Sequence, residues 1–72
     1  MKHQSKELII SIGKKLKAIR ESRGYTQEYV AIQTDIARKS VILYENGKMK
    51  NPGIVTLELL ASFYGLTLKD IL

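Results

Sequence analysis

Residues Thr26 to Glu45 read TQEYVAIQTDIARKSVILYE, and the fold turns on this stretch. It divides into two short helices joined at Thr34–Asp35–Ile36. Thr26 stands where an N-cap belongs, because its hydroxyl can accept from the free amides of a first turn. Ala31 is small, as a close helix crossing needs. Asp35 falls where the chain must reverse, and Asp is among the few non-glycine residues that tolerate a left-handed backbone. The second helix opens Ala37–Arg38–Lys39–Ser40. Two cations on its first turn oppose the positive end of the helix dipole, at a cost of roughly a few tenths of a kcal/mol. Charge kept there against that cost implies a partner that needs it. Two helices around such a turn, the second led by basic residues, point to a helix-turn-helix that reads DNA.

Upstream, Leu8, Ile12, Leu16 and Ile19 recur on one helical face, which predicts a helix over residues 7–23. Ile9 widens the stripe, and Lys14, Lys15, Lys17 and Glu21 take the wet face. Gly24 ends that helix after Arg23. Residues 1–6 are polar, include His3, and are expected to form a flexible tail. Tyr25 and Val30 are placed to pack across the entry of the second helix, residues 27–34. The third helix covers residues 38–45, and Asn46–Gly47 ends it with residues that favour a left-handed cap. Lys48 to Gly53 is a loop, in which Pro52 forbids helix at Asn51 and permits a new one just after. A fourth helix follows over residues 54–64, with Ile54, Leu57, Leu60, Ala61 and Tyr64 inward and Gly65 at its end. Thr67 opens a last short helix over residues 68–72. No strand, repeat or linker interrupts this pattern. The expectation is one all-α domain of five helices over residues 7–72.

Composition narrows the partners. At 72 residues the chain is one domain at most, and so small a domain buries only about 60% of its unfolded surface. It has no cysteine, hence no disulfide and no thiolate metal site. No apolar run approaches the ~20 residues of a membrane span. Leu8-Ile9-Ile10 is too short for a signal-peptide core. A soluble, cytoplasmic protein without membrane contact is the expectation. The net charge of +5 and a pI near 9.6 favour a polyanionic partner, most often nucleic acid, the alternative on charge alone being a merely basic surface.

The sequence resembles a known family. Ile12-Gly13-xx-Leu16-xx-Ile19-Arg20-xx-Arg23-Gly24-Tyr25-Thr26-Gln27-Glu28 carries the likeness, continued by Ala31, Ile36, Val41, Glu45-x-Gly47, Pro52, Thr56-Leu57, Leu60-Ala61 and Gly65-Leu66-Thr67-Leu68. Together they resemble the lambda-repressor/Cro-like helix-turn-helix family, also called XRE, over nearly the whole chain. Asp35 stands where that family usually has glycine, and Ala37 where it usually has serine or threonine. The loss of that cap is worth about 1 kcal/mol unless Asp35 or water substitutes. Ile42 and Leu43 stand where polar residues are common, and Gly53 replaces the usual serine cap of the fourth helix.

The resemblance implies roles. Arg20 and Glu45 match the family's partly buried ion pair, in which a guanidinium fork fixes the angle of the recognition helix. Gln27 matches a glutamine that holds a phosphate at a helix N-terminus. Lys48, Lys50 and Asn51 match a loop that clamps the DNA backbone, the alternative being a solvated lysine loop. Arg38 and Lys39 are the candidates for base contacts in the major groove, where such side chains favour guanine O6 and N7. Arg38 could instead hold only phosphate. Ser40 could reach a phosphate or a base. Val41 and Tyr44 are expected to face the core. Ile42 and Leu43 could touch thymine methyl groups, pack on another protein, or be partly buried; Leu43 resembles a base reader.

Enzyme chemistry finds no support. The one histidine lies in the tail, and no paired catalytic carboxylates, glycine-rich phosphate loop or metal-ligand cluster appears. Met49 reads as a loop side chain. No cofactor, metal or small-molecule ligand is expected. Two function classes remain. One is a sequence-specific regulator of double-stranded DNA, acting as a homodimer, for which Phe63, Leu66, Leu68, Ile71 and Leu72 could supply the dimer face after satisfying the core. Its small size fits a stand-alone regulator: a phage or plasmid repressor, a restriction–modification controller or an antitoxin. The other is a protein-binding adaptor or antitoxin module on the same fold, with Ile42 and Leu43 as its contact.

Overall fold

Glycine, proline and capping residues divide the chain, and the computed structural model follows that division. It describes residues 2–72, and of residues 2–5 the backbone alone; Met1 lies outside the described residues. Five helices occupy them: α1 Lys2–Ser22, α2 Gln27–Thr34, α3 Arg38–Glu45, α4 Ile54–Phe63 and α5 Leu68–Ile71. No strand occurs among the described residues. The fold is all-α, and α2 and α3 form a helix-turn-helix.

α1 starts at Lys2, not near Glu7. The apolar stripe marks where a helix has something to pack on, and residues 2–6 contain no glycine or proline to stop it continuing outward. The side chains of most of the expected tail, His3 included, lie outside the described residues. At α2 the Thr26 hydroxyl accepts from the Tyr29 amide at 3.0 Å. Asp35 ends α2 in the left-handed region, at φ 58 and ψ 30, with its amide donating to Ala31 and Ile32 carbonyls. Of the Asn46–Gly47 pair that ends α3, Gly47 alone is left-handed, at φ 67; Asn46 stays at φ −87. α5 is closed by a capping box in which Thr67 and Asp70 each bond the other's backbone amide.

The core gathers Ile12 and Leu16 from α1, Val30 and Ala31 from α2, Val41 and Tyr44 from α3, and Leu57, Leu60 and Ala61 from α4, with Tyr64 and Ile71 closing it. Leu16, Val30, Val41 and Ile71 are fully buried, each worth roughly 1.5–3 kcal/mol against exposure. Tyr25 packs on Tyr29 and Phe63, with ring centroids 4.8 and 5.8 Å away.

The spacing places Leu8 and Ile54 inward, but the structure leaves them 45% and 66% exposed. Each lies toward the outer end of its helix, where the repeat runs past the neighbours that could cover it, and both line an open apolar groove with Pro52 and Leu72. Ile71 is taken up wholly by the core, fully buried, because α5 folds back on α4 and α1. Phe63, Leu66 and Leu68 are partly buried against the same core; Leu72 is about half exposed.

One contact sets the position of α3. A Cβ at Gly13 would lie 2.3 Å from the Tyr44 carbonyl oxygen and 2.9 Å from that of Glu45. Helix-interior glycine costs about 1 kcal/mol against alanine. Here that cost admits the end of α3 onto α1.

Candidate nucleic-acid interface

The C-terminal half of α3 is held by charge as well as packing. Arg20 Nε donates to Glu45 Oε2 at 2.8 Å and Arg20 Nη2 to Glu45 Oε1 at 3.0 Å. Gln27 Nε2 adds a third bond to Oε1 at 3.1 Å. The side chains are 11% and 3% exposed. The fork's remaining arm, Nη1, donates to the Tyr25 carbonyl at 2.8 Å. One carboxylate therefore collects donors from α1 and α2 and fixes α3 against both. Hydrogen bonding to Glu45 is the main reason the Arg20 pKa lies above its ordinary value. Tyr64, also influenced by this pair, has its phenol pushed up to about 12, first by burial and then by the Glu45 charge. Arg23 is occupied with Tyr64, donating to its carbonyl at 2.9 Å and lying 5.7 Å from its ring centroid.

The N-terminal half of α3 is open. Arg38 and Lys39 are exposed, and neither makes a side-chain hydrogen bond or ion pair among the described residues. Ala37 supplies no side-chain cap, and no other side chain caps α3 in its place, Asp35 included. Ser40, Ile42 and Leu43 are partly exposed, while Val41 and Tyr44 lie in the core. Arginine and lysine on the outer face of a short helix, with its inner face locked, can reach base edges in a major groove.

The residues proposed for phosphate fall in two places. Gln27 is the first residue of α2, partly buried, and shares a polar concavity with Lys17, Arg20, Thr26, Glu28 and Arg38. Its bond to Glu45 uses one of its amide hydrogens; the other and the carbonyl remain available for a ligand. Lys48, Lys50 and Asn51 are exposed on the loop between α3 and α4 and do not line that concavity. The loop leads to α4, whose N-cap, Gly53, gives no side-chain hydrogen bond.

Lys17 belongs to the concavity and was assigned only to the wet face of its helix. The signal lay in its spacing, since a residue three before Arg20 shares Arg20's side of the helix. The Gln27–Glu45 bond carries no sequence signal, because nothing local links residues 18 apart. No group of three or more His, Cys, Asp or Glu placed to hold a metal occurs among the described residues. No helix there is long and apolar enough to cross a membrane.

Residues 13–72 match the family described as helix-turn-helix domain. No match is found among curated proteins or among solved structures.

Proposed function

The chain belongs to the XRE-like helix-turn-helix family, and from that premise we propose a sequence-specific regulator of transcription that binds double-stranded DNA. The helix Arg38–Glu45 enters the major groove. Arg38 and Lys39 read base edges, with Ser40, Ile42 and Leu43 as further base contacts. Gln27, Lys48, Lys50 and Asn51 hold phosphates, which set register without reading sequence. The protein acts in the cytoplasm as a homodimer on an inverted repeat, because two recognition helices about 34 Å apart meet successive major grooves. Leu72 and the partly covered Phe63, Leu66 and Leu68 are what remains of the proposed dimer face.

The observation that carries this reading is the split along α3: Val41, Tyr44 and Glu45 are buried while Arg38 and Lys39 stand exposed. The adaptor reading rests on the partly exposed Ile42 and Leu43 as its contact and gives no role to the exposed Arg38 and Lys39. Gel-shift titration tests the proposal on duplexes selected from random sequence. Arg38→Ala weakens the selected sites by about 1–3 kcal/mol, while Lys50→Ala weakens all duplexes alike and lowers the salt slope by about 1. If neither substitution changes binding, the reading fails. The selected sequences themselves report whether an inverted repeat emerges.

A further inference from the structure

We propose that the Tyr44 hydroxyl is a positioning group for DNA binding, tying the phosphate-holding loop to the recognition helix. The inference rests on the DNA-binding reading above and names a residue through which the helix and the loop act together. Tyr44 sits in the last turn of α3 with its ring in the core, 5% exposed. Its hydroxyl accepts a hydrogen bond from the Gly53 amide at 3.1 Å. Gly53 is the N-cap of α4, so a side chain of one helix holds the start of the next.

The loop has few other restraints. The Lys48 amide donates to the Leu43 carbonyl at 2.9 Å, and the Gly53 carbonyl accepts from Leu57 at 3.0 Å. Between those points, residues 49–52 make no loop backbone hydrogen bond. Met49 packs on the core, while Lys48, Lys50 and Asn51 are exposed. Among the described residues, the loop between these points is held by Met49, by Pro52 in the groove beside Leu8 and Ile54, and by the Tyr44 hydroxyl. Long lysine side chains on a loose loop lose rotamer freedom when they meet a phosphate, so the position of the loop backbone decides how much of their charge is used. Removing the hydroxyl strands the Gly53 amide and frees the end of the loop while leaving the ring in place. Because the loop's proposed contacts are to phosphates, the effect must be the same for every sequence.

The test compares the full chain with its Tyr44→Phe variant, at a temperature where circular dichroism shows both folded. Binding is measured to selected duplexes and to a mixed-sequence duplex. The variant is expected to bind both about fivefold more weakly, the scale of one lost hydrogen bond. Hydrogen exchange at the Gly53 amide is expected to accelerate. Combined with Lys50→Ala, the loss is expected to be smaller than the product of the two single losses, since both act through one loop. Equal affinity in wild type and variant overturns the inference, and so does a loss confined to selected sites. If the wild type itself binds no duplex, the DNA-binding reading falls and this inference with it; if only the comparison fails, the inference falls alone. Should Tyr44→Phe not fold, amide exchange in the wild type decides: the Gly53 amide must be protected above those of Met49, Lys50 and Asn51 and gain further protection on binding either duplex, and exchange as fast as theirs overturns the inference.

Discussion

The two ends of α3 are built on opposite terms. At its C-terminal end, Glu45 is 6% exposed, takes three side-chain donors, and rests against the one place on α1 where glycine removes the Cβ. At its N-terminal end, Ala37 offers no cap and Arg38 and Lys39 reach into solvent. The first end stores nearly all the restraint and the second nearly all the free charge. A helix of eight residues can be both fixed and readable only if these roles are separated along its length. The separation teaches that the angle of α3 is set by Arg20, Glu45 and Gly13, away from the exposed side chains at its start.

Glu45→Ala attacks the fixed end most directly. It strands the Arg20 guanidinium at 11% exposure and leaves the Gln27 amide without its partner. Breaking one side of a buried pair costs about 3–5 kcal/mol, which for a domain stable by roughly 5–15 kcal/mol is a large fraction. Urea denaturation should show that loss, with affinity for every duplex falling in proportion to the unfolded fraction. A variant that unfolds no more easily than wild type would show that the two ends are not so unequal.

Gly13→Ala tests the same end without touching a charge. Alanine gains about 1 kcal/mol of helix propensity. Yet its Cβ meets two backbone carbonyls of α3, which cannot swing aside as a side chain would. A net loss of about 2 kcal/mol is expected, the upper end of overpacking costs less that gain. Retained stability with lowered affinity would mean that α3 had shifted on α1 and carried the reading end with it.

Much of this was legible beforehand. The bounds of α2 and α3 are those read from Thr26, Asp35 and the apolar spacing, because caps and turn residues act locally. Asp35 takes the left-handed conformation that its place at the reversal required. Leu8 and Ile54 were misplaced because periodicity reports which side of a helix is inward, not how far along it neighbours extend. The concavity around Gln27, with Lys17 in its wall, was visible only once three helix ends had converged. How Ile71 divides between core and interface was not legible, because an apolar terminal helix looks the same whether it covers its own core or a partner's.

Alkaline pH offers a graded version of the same contrast. Tyr64 lies under the fixed end with its pKa raised from 10.0 to about 12, so the folded protein favours the neutral phenol. This contribution is fully present below pH 10 and is lost as the pH climbs from about 10 to about 12. Two pKa units correspond to roughly 2–3 kcal/mol. Denaturation at about pH 9 and about pH 12 should separate wild type from Tyr64→Phe, whose phenyl ring has no proton to lose. The variant is expected to lack that part of the alkaline decline. Equal declines would place the sensitivity elsewhere and remove Tyr64 from the fixed end.

The smallest effect is expected at the free end. Ala37→Ser supplies the hydroxyl that Thr26 and Thr67 already give to α2 and α5. The backbone at Ala37 has φ −57 and ψ 136, against φ −84 and ψ 160 at Thr26, so the new hydroxyl meets the first-turn amides at less favourable geometry. A gain of about 0.5–1 kcal/mol is therefore expected, at the low end of cap energies, and a melting midpoint higher by about 4 °C would register it. A gain of that size, added undiminished to the loss from Glu45→Ala in the double variant, would show the two ends acting independently. Coupling between them would mean that the cap also moves the fixed end, and that the division of labour along α3 is weaker than its exposure pattern implies.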